Sequence, residues 1–279
     1  MSEPSSKTIL ITGCSSGIGL CAARTLRARG YRVLTTARKP VDVSRLAGEG
    51  FEAFLLDLAD PASIQLAVKR VLETTGGVLY GLFNNGAYGQ PGAVEDLRRE
   101  VLREQFETNL FGTHELTNLV IPVMRRQGYG RIIQNSSVLG FAAMRYRGAY
   151  NASKFALEGL SDTLRLELRG TGIHISIIEP GPILSRFRDN AYAMYRKHIN
   201  AEDSPHRETY RLMEVRLQKE GAAVPFTLDP EAVVAKLIHA LEARRPRARY
   251  YVTFPTYLFG CLKRVLPDRA LDWLLGKVG

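Results

Sequence analysis

Two residues of the stretch YNASK, Tyr150 and Lys154, have side chains that can move a proton together. A phenol with an ordinary pKa of about 10 is mostly un-ionised at neutral pH, and a nearby cation favours its phenolate form. If the segment is helical, residues four apart lie on one face, which would place the Lys154 ammonium beside the Tyr150 hydroxyl. The same spacing is found in ordinary solvated pairs on helix surfaces. Its meaning therefore depends on what else the fold brings to this place.

A second pattern with chemical meaning is the glycine-rich stretch TGCSSGIG at 12–19, between a predicted strand and a predicted helix. Gly13 would permit a tight turn, Gly17 a close approach of the backbone to a pyrophosphate, and Gly19 close packing of helix on strand. The free N–H groups of the helix N-terminus would face the phosphates. The spacing is G-x-x-x-G-x-G rather than G-x-G-x-x-G. A glycine turn alone can serve packing only, but between strand and helix it predicts a dinucleotide site.

Alternating apolar blocks and amphipathic stretches position these residues. Strands are predicted at KTILITG, YRVLTTA, FEAFLLD, VLYGLFNN, GRIIQNSS and IHISIIEPG, and helices at 17–29, 61–75, 94–126 and 148–169. The strands are continuous runs of Val, Ile, Leu and Phe, as in parallel sheets covered on both faces. The pattern predicts an α/β fold with a doubly wound, Rossmann-like parallel sheet and ligands at the carboxyl ends of its strands.

The alternation ends after Gly181, and no linker or repeat follows. We predict a single domain over 1–279, with a core at 7–182, an irregular or short-helical substrate lid at 183–228, and a C-terminal part at 229–279. This last part would hold a helix at 230–243, a strand at ARYYVTF and a basic tail. A chain of 279 residues suits one such domain.

Composition limits the classes of function. Cys14, Cys21 and Cys261 show neither paired nor metal-type spacing, which favours a reducing, cytoplasmic compartment. We predict no metal, no signal peptide and no membrane span. The net charge is +10, and residues 241–279 hold eight Lys or Arg against three acids, or +5. No zinc-finger or RNA-binding motif accompanies this charge, so we predict no nucleic-acid partner.

The motifs together resemble those of the short-chain dehydrogenase/reductase family in its single-domain form. They are TGCSSGIG, LDL, NNGA at 84–87, the asparagine at 109, NSS at 135–137, YNASK and PGPILS at 180–185. The resemblance covers about 7–187, or two-thirds of the chain. LITGCSSGIGL, YNASKFALEGLSDTLRLEL and IIEPGPI are most similar to the branch of 17-beta-hydroxysteroid and retinol dehydrogenases and related bacterial aldehyde reductases.

The resemblance implies four catalytic residues. Tyr150 would donate the proton in reduction and accept it in oxidation, while Lys154 would favour the phenolate and hold the nicotinamide ribose. Ser137 would hydrogen-bond the substrate carbonyl as charge develops. Asn109, inside the predicted helix 94–126, would complete a water-mediated proton relay with the lysine; the alternative is a bend in that helix. Ser136 is predicted to be structural, because neighbouring strand residues face opposite sides.

The resemblance also implies the cofactor site. Asp57 would meet the adenine amine, and backbone groups at Ile183 would fix the nicotinamide. The sequence NNGA departs from the common Asn-Asn-Ala-Gly, which puts the local loop shape in doubt, and Ser185 replaces a common threonine. The predicted cofactor-binding residues are Gly13, Ser15, Ser16, Gly17, Ile18, Gly19, Arg38, Asp57, Leu58, Asn85, Gly86, Tyr150, Lys154, Pro180, Gly181, Ile183 and Ser185.

The end of the second predicted strand, LTTARKP, bears on the choice between NAD and NADP(H). NAD-preferring enzymes usually place an acid here to hold the ribose 2′-hydroxyl. Thr36 and Ala37 offer none, and Arg38 could grip a 2′-phosphate with Ser15 or Ser16. The alternative is that Arg38 and its neighbouring lysine are merely solvated. We predict NADP(H).

The predicted function is interconversion of a lipophilic aldehyde or ketone and its alcohol. The alternatives are a catalytically silent, nucleotide-sensing binding protein on the same fold, and an epimerase or dehydratase, which the glycine spacing disfavours. Apolar lid residues would line the substrate pocket or merely pack the lid: Phe187, Tyr192, Met194, Tyr195, Tyr210, Leu212, Met213 and Phe226. The resemblance implies a homo-oligomer.

The amphipathic tail is interrupted by Pro267, so we predict that it forms two short helices. The tail would touch a membrane surface weakly or, as we favour, cover the pocket or a subunit interface.

Overall fold

A computed structural model describes residues 7–277 and shows one seven-stranded parallel sheet. The strand order is β3-β2-β1-β4-β5-β6-β7. The strands are β1 Thr8–Ile11, β2 Arg32–Ala37, β3 Glu52–Leu55, β4 Gly81–Asn84, β5 Gly130–Asn135, β6 Ile173–Glu179 and β7 Arg249–Tyr251. The order reverses between β1 and β4, where a doubly wound sheet opens a crevice for ligands. The predicted α/β class is confirmed.

Helices cover both faces of the sheet and extend beyond it. They are α1 Gly17–Ala28, α2 Pro40–Gly48, α3 Pro61–Thr74, α4 Arg99–Phe106, α5 Gly112–Gln127, α6 Gly148–Glu167, α7 Phe187–His198, α8 Arg207–Gln218, α9 Glu231–Glu242, α10 Phe254–Val265 and α11 Asp268–Leu275. One core cluster packs α1 and α9 on the sheet, and a second packs α3 and α5 on its other face. Strand residues such as Ile9 and Leu10 alternate between these two clusters, which explains the unbroken apolar runs of the sequence.

The helix predicted over 94–126 is not continuous. A 3-10 turn at Val94–Asp96 precedes α4, and a π-helical turn at Glu107–Phe111 separates α4 from α5. At the junction stands Gly112, where an added Cβ would lie 1.7 Å from the Leu58 carbonyl oxygen. Glycine therefore lets this helix approach the loop after β3 closely. The extra residue of the π-helical turn changes the direction of the chain next to Gly112.

Sequence inspection missed α2, a nine-residue helix that begins with Pro40 at its first position. Proline is favoured there, so the start was visible. The only fully buried anchor of α2 is Leu46, which leaves too weak an apolar pattern for a prediction. The segment predicted as irregular or short-helical contains two regular twelve-residue helices, α7 and α8.

The tail forms two short helices, α10 and α11, as Pro267 predicts. They fold back onto the segment after β5, where Phe259 and Leu275 pack with Ala142. Among residues 7–277, no helix is long and apolar enough to cross a bilayer. The final Val278 and Gly279 of the predicted tail, like the N-terminal residues 1–6 that bear on a signal peptide, lie outside the described residues.

Candidate active site

A cavity of about 690 Å³ opens at the carboxyl ends of β1, β4, β5 and β6. It brings together most of the predicted site residues: Gly13, Ser15, Ser16, Gly17, Ile18, Asn85, Gly86, Ser137, Tyr150, Lys154, Pro180, Gly181, Ile183 and Ser185. Five predicted residues do not line it: Gly19, Arg38, Asp57, Leu58 and Asn109. The tyrosine–lysine pair and the glycine turn, more than a hundred residues apart in the chain, thus share one cavity.

The glycine turn is shaped by positions that exclude a side chain. Gly13 and Gly17 have φ of 70° and 55°, in the left-handed region that glycine favours. A Cβ on Gly19 would lie 2.3 Å from the Gly13 carbonyl oxygen, so this glycine acts by packing helix against turn. Gly17 and Ile18, the first residues of α1, line the cavity, and the Ser16 side chain does not cap the N–H groups of this helix end.

Hydrogen bonds fix the glycine turn to the neighbouring strands. The Thr12 hydroxyl accepts from the backbone N–H groups of Asn85 and Gly86, at 2.8 Å each. The Asn85 amide donates to the Thr12 carbonyl at 3.0 Å and accepts from the Asn135 amide at 2.9 Å. A Cβ on Gly86 would approach Leu58 to 3.0 Å, so the small residue of NNGA allows the loop to lie tightly on Leu58.

Tyr150 and Lys154 lie one turn apart on α6, and both are buried. The Lys154 ammonium donates to the Asn135 carbonyl at 2.7 Å and lies 5.7 Å from the centroid of the Tyr150 ring. Burial raises the pKa of Tyr150 to about 12, which an interaction with Ser137 partly offsets. Burial lowers the pKa of Lys154 to about 8, against the opposing charge of Glu158. Both shifts favour the neutral forms, as expected for ionisable groups removed from water.

Ser137 lies two residues beyond β5, and its hydroxyl accepts from the Leu139 N–H at 3.1 Å. This bond uses an oxygen lone pair and leaves the hydroxyl proton available to a substrate carbonyl. Ser137 is buried on the cavity wall beside Tyr150.

Asn109 lies behind the cavity, in the π-helical turn rather than in a regular helix. Its amide donates to the Tyr88 carbonyl at 2.8 Å and to the Ser153 hydroxyl at 3.3 Å, and its oxygen accepts from the Tyr88 N–H at 3.1 Å. The side chain therefore ties the β4 loop to α6 beside Lys154. The water-mediated relay stays a prediction.

Beneath Lys154 lies a charged cluster that sequence inspection missed. Arg249 of β7 donates to Glu158, to Glu179 at 2.7 Å and to Asp162 at 2.6 Å. Burial, and then the neighbouring Glu158, raises the pKa of Glu179 to about 8. The i, i+4 spacing of Lys154 and Glu158 was the available signal, but the arginine that binds Glu158 lies 91 residues after it in the chain.

The lid covers the cavity with fewer residues than predicted. The Phe187 ring packs edge-on against Tyr150, with centroids 5.3 Å apart, and Phe226 also lines the cavity. Tyr195, Tyr210 and Met213 instead form the lid's own buried core. For these three the packing alternative is correct. Tyr192, Met194 and Leu212 do not line the cavity either.

The tail completes the wall, a role that the sequence left open. Phe254, Leu258, Phe259 and Leu275 line the cavity, and the Phe226 and Phe254 rings lie 4.9 Å apart. This supports the pocket-covering interpretation of the tail. Its contact with a membrane surface stays a prediction.

This arrangement of glycine turn, buried tyrosine–lysine pair and serine agrees with a comparison against known families, in which residues 7–196 match the model of the short chain dehydrogenase family. The chain belongs to this family. It is 44% identical over 96% of its length, and 94% of the other protein, to the uncharacterized oxidoreductase YbbO of Escherichia coli K12. Human retinol dehydrogenase 5 is 33% identical, over 96% of this chain and 89% of that protein. The solved actinorhodin polyketide ketoreductase with NADPH has a TM-score of 0.74 and 27% identity, over 90% and 97% of the two chains.

Membership of the short chain dehydrogenase family makes this protein an oxidoreductase and implies a nicotinamide dinucleotide, and the cavity fits that group. A Cβ on Gly17 would lie 3.0 Å from Ser185, so the glycine keeps a gap open between the turn and the segment after β6. Among residues 7–277 there is no cluster of His, Cys, Asp and Glu that could hold a metal ion.

The edge of the site at β2 has no acid on the strand end. The Thr36 hydroxyl is turned inward and donates to the Ile11 carbonyl at 3.3 Å. Arg38 follows β2, is exposed, and forms no ion pair among the described residues. Arg45 of α2 donates to the Ser15 carbonyl at 2.7 Å, so a second guanidinium borders the turn. Asp57 accepts from the Ala59 N–H at 3.0 Å, outside the cavity wall.

Proposed function

We propose that this protein is an NADP(H)-dependent oxidoreductase that interconverts a lipophilic aldehyde or ketone and its alcohol, with Tyr150 as proton donor and acceptor. The observation that carries the proposal is the burial of Tyr150, Ser137 and Lys154 on one wall of the cavity that also contains the glycine turn. A group that exchanges protons with a substrate must lie within reach of it, and this wall provides that place.

The roles of the three side chains follow from their surroundings. Burial keeps the Tyr150 phenol protonated at neutral pH, the form needed to donate to a reduced carbonyl. Ser137 donates to the carbonyl oxygen and stabilises the charge that develops on it. Lys154, held by Asn135, stabilises the phenolate left after proton transfer. A bound nicotinamide coenzyme would supply the hydride in reduction and accept it in oxidation.

The preference for NADP(H) is supported by the charge at the end of β2. A ribose 2′-phosphate would meet no acid there, and Arg38 has no competing ion pair among residues 7–277. A planar guanidinium can bind a phosphate through two parallel hydrogen bonds. Arg45 adds a positive charge, although Asp42 and Glu49 already pair with it.

A lipophilic substrate is supported by the side chains around Tyr150. Phe187, Phe226, Phe254, Leu258 and Leu275 surround the outer cavity. Walls that combine apolar side chains with a smaller number of polar groups are typical of small-molecule sites. The name of the human relative also indicates an alcohol substrate.

Consumption of NADPH with a series of straight-chain aldehydes and matched ketones tests the proposal, with NADH in parallel. Each buried methylene is worth about 0.8 kcal/mol, so kcat/KM should rise up to about fourfold per added methylene until the cavity is filled. A flat or falling trend would contradict the lipophilic pocket. Binding of NADPH without turnover of any carbonyl would instead indicate a nucleotide-sensing binding protein.

Assembly is part of the same proposal. Phe111 beside α5 is 49% exposed, and Phe155 and Leu160 of α6 are 40% and 43% exposed. These helices would form the contact of a homo-oligomer. Cytoplasmic location stays a prediction.

A further inference from the structure

Arg147 is a partly buried cation near the reacting groups that the proposed chemistry does not use. It precedes α6 by one residue and lies three positions before Tyr150. Its backbone pairs with Gly92, and its guanidinium donates to the Tyr146 carbonyl at 3.1 Å and contacts the Met213 sulfur at 3.3 Å. These contacts hold the guanidinium between α6 and α8, on the wall of the cavity.

A second arginine, Arg216 of α8, lines the same part of the cavity. Burial lowers the pKa of Arg147 to about 10, and the positive charge of Arg216 adds to this effect. Three other arginines of the lid have acidic partners, since Arg196 pairs with Glu214, Arg211 with Glu208, and Arg207 with Glu202 and Glu208.

The charge of this pair is not balanced within the part of the chain that the structure describes. Neither Arg147 nor Arg216 forms an ion pair there, and the cavity wall includes no Asp or Glu. Both arginines are partly buried, and a charge that is partly withdrawn from water loses hydration that an unpaired group does not regain. Two guanidinium groups on the wall of one cavity are therefore suited to an anion, which they can bind through parallel hydrogen bonds.

Resting on the proposed function, we propose that Arg147 and Arg216 bind an oxyanion carried by the substrate, so that the substrate is a lipophilic aldehyde or ketone with a carboxylate or phosphate group. The carbonyl would lie at Tyr150, one helical turn from Arg147. Phe187 and Leu217 on the same wall provide apolar contact for the carbon chain between the two groups.

The cofactor's own phosphates are a poor explanation for this pair. Those phosphates belong at the glycine turn, whereas Arg147 and Arg216 lie beside the lid core formed by Tyr210, Met213 and Leu217. Two further arginines line the cavity and are left out of the proposal: Arg186 adjoins Ser185, which faces Gly17 of the turn, and the Arg188 guanidinium already donates to the carbonyls of Lys219 and Gly221.

The test compares straight-chain aldehydes with aldehydes of the same length that end in a carboxylate or a phosphate monoester. In the unmodified enzyme with NADPH, at least one charged aldehyde should have a kcat/KM about 10- to 100-fold above that of the neutral aldehyde. This ratio is the gain in affinity that one charged hydrogen bond provides. Comparison of the two charged series identifies which oxyanion the site prefers. Arg147→Met and Arg216→Met should each remove most of this advantage by raising KM, and Arg147→Lys should retain part of it.

Two controls separate recognition from structure. Arg211→Met removes an exposed arginine of α8 that is paired with Glu208, and it should leave the higher kcat/KM of the charged aldehydes unchanged. Kinetics with the neutral aldehyde should change less than threefold in all four variants. Equal losses for neutral and charged aldehydes in Arg147→Met and Arg216→Met would show that the pair only supports the fold and would overturn the inference.

A binding measurement tests the anion site without relying on turnover, and therefore independently of the proposed function. Calorimetry with the alkyl carboxylate and the alkyl phosphate of the same length should show binding that weakens at least tenfold in Arg147→Met and Arg216→Met. Arginine-dependent binding without turnover of any carbonyl would refute the proposed function and support the anion site. Turnover of neutral aldehydes with no gain from either anion would leave the function standing and refute the anion site.

Discussion

The Lys154 ammonium lies 5.7 Å from the centre of the Tyr150 ring while it donates a 2.7 Å hydrogen bond to the Asn135 carbonyl. The helix places the two side chains on one face, and the end of β5 fixes the position of the lysine. Because both groups are buried, Lys154 holds its charge at a cost in free energy. That charge is available to stabilise a phenolate, and the interaction is stronger between buried groups than between groups in water.

Removal of the Tyr150 hydroxyl should separate catalysis from cofactor binding. Tyr150→Phe keeps the ring that packs against Phe187, so NADPH affinity measured by fluorescence titration should change less than threefold. Loss of the proton donor should lower kcat by about a hundredfold or more. Tyr192→Phe is the matched control, because it removes a lid hydroxyl bonded to Gln218, and should retain full activity. Retained turnover in Tyr150→Phe would refute the proton-transfer role.

Replacement of Lys154, the proposed catalytic lysine, should stabilise the protein while it abolishes activity. The pKa of Lys154 is lowered from 10.5 to about 8, which corresponds to about 3 kcal/mol of destabilisation when the lysine is charged. Lys154→Met also loses the charged hydrogen bond to the Asn135 carbonyl, worth about 1.5–3 kcal/mol. The free energy of unfolding at pH 7 should therefore rise by about 1 kcal/mol.

The pH dependence of this difference has a definite sign. Between pH 8 and 10.5 the unfolded chain binds the Lys154 proton and the folded protein does not, so the cost of the charge is full below pH 8 and disappears as the pH rises. Denaturant unfolding at pH 7 and pH 10 should show the advantage of Lys154→Met shrinking. Lys69→Met, an exposed control, should change stability by less than about 0.5 kcal/mol. A variant less stable than the native protein at pH 7 would contradict the prediction.

Loss of Arg249 should destabilise the fold through the acids that it leaves behind. Arg249→Met leaves Glu158 and Glu179 buried without their cation, which should cost about 3–5 kcal/mol of unfolding free energy. The raised pKa of Glu179 means that protonation relieves this cost, so the deficit should be smaller at pH 5 than at pH 8. Arg165→Met removes another partner of Asp162, at a more exposed position, and should cost less than about 1 kcal/mol. Equal losses in the two variants would contradict the importance of burial.

Local patterns made the core of the fold and much of the cavity predictable. The glycines at 13, 17 and 19 are dictated by backbone conformation and close packing, and Tyr150 and Lys154 by the period of one helix, so short stretches of sequence are sufficient. The division of the tail into two helices was predictable from a single residue, Pro267, because proline cannot continue a helix.

The features that were missed depend on contacts distant in the chain. Arg249 meets Glu158 from 91 positions away, and Phe254 joins Phe226 on the cavity wall only after the tail has folded back. The π-helical turn around Asn109 depends on packing of Gly112 against the loop after β3. An aromatic lid residue such as Tyr210 is the same letter in the sequence whether its side chain faces a ligand or another lid residue. The amino-acid composition of the lid therefore could not separate the two roles.

The choice of cofactor should depend on Arg38. In Arg38→Asp, the end of β2 would gain the acid that NAD-preferring enzymes use to hold the ribose hydroxyl and that repels a 2′-phosphate. A charged hydrogen bond of about 1.5–3 kcal/mol corresponds to roughly 10- to 100-fold in affinity. The native enzyme should therefore prefer NADPH over NADH by this factor in kcat/KM, and Arg38→Asp should erase or invert the preference with little change in maximal rate. Lys39→Asp places the same charge one residue further on and should have a smaller effect. Equal use of NADPH and NADH by the native enzyme would show that Arg38 is a solvated side chain without a role in cofactor choice.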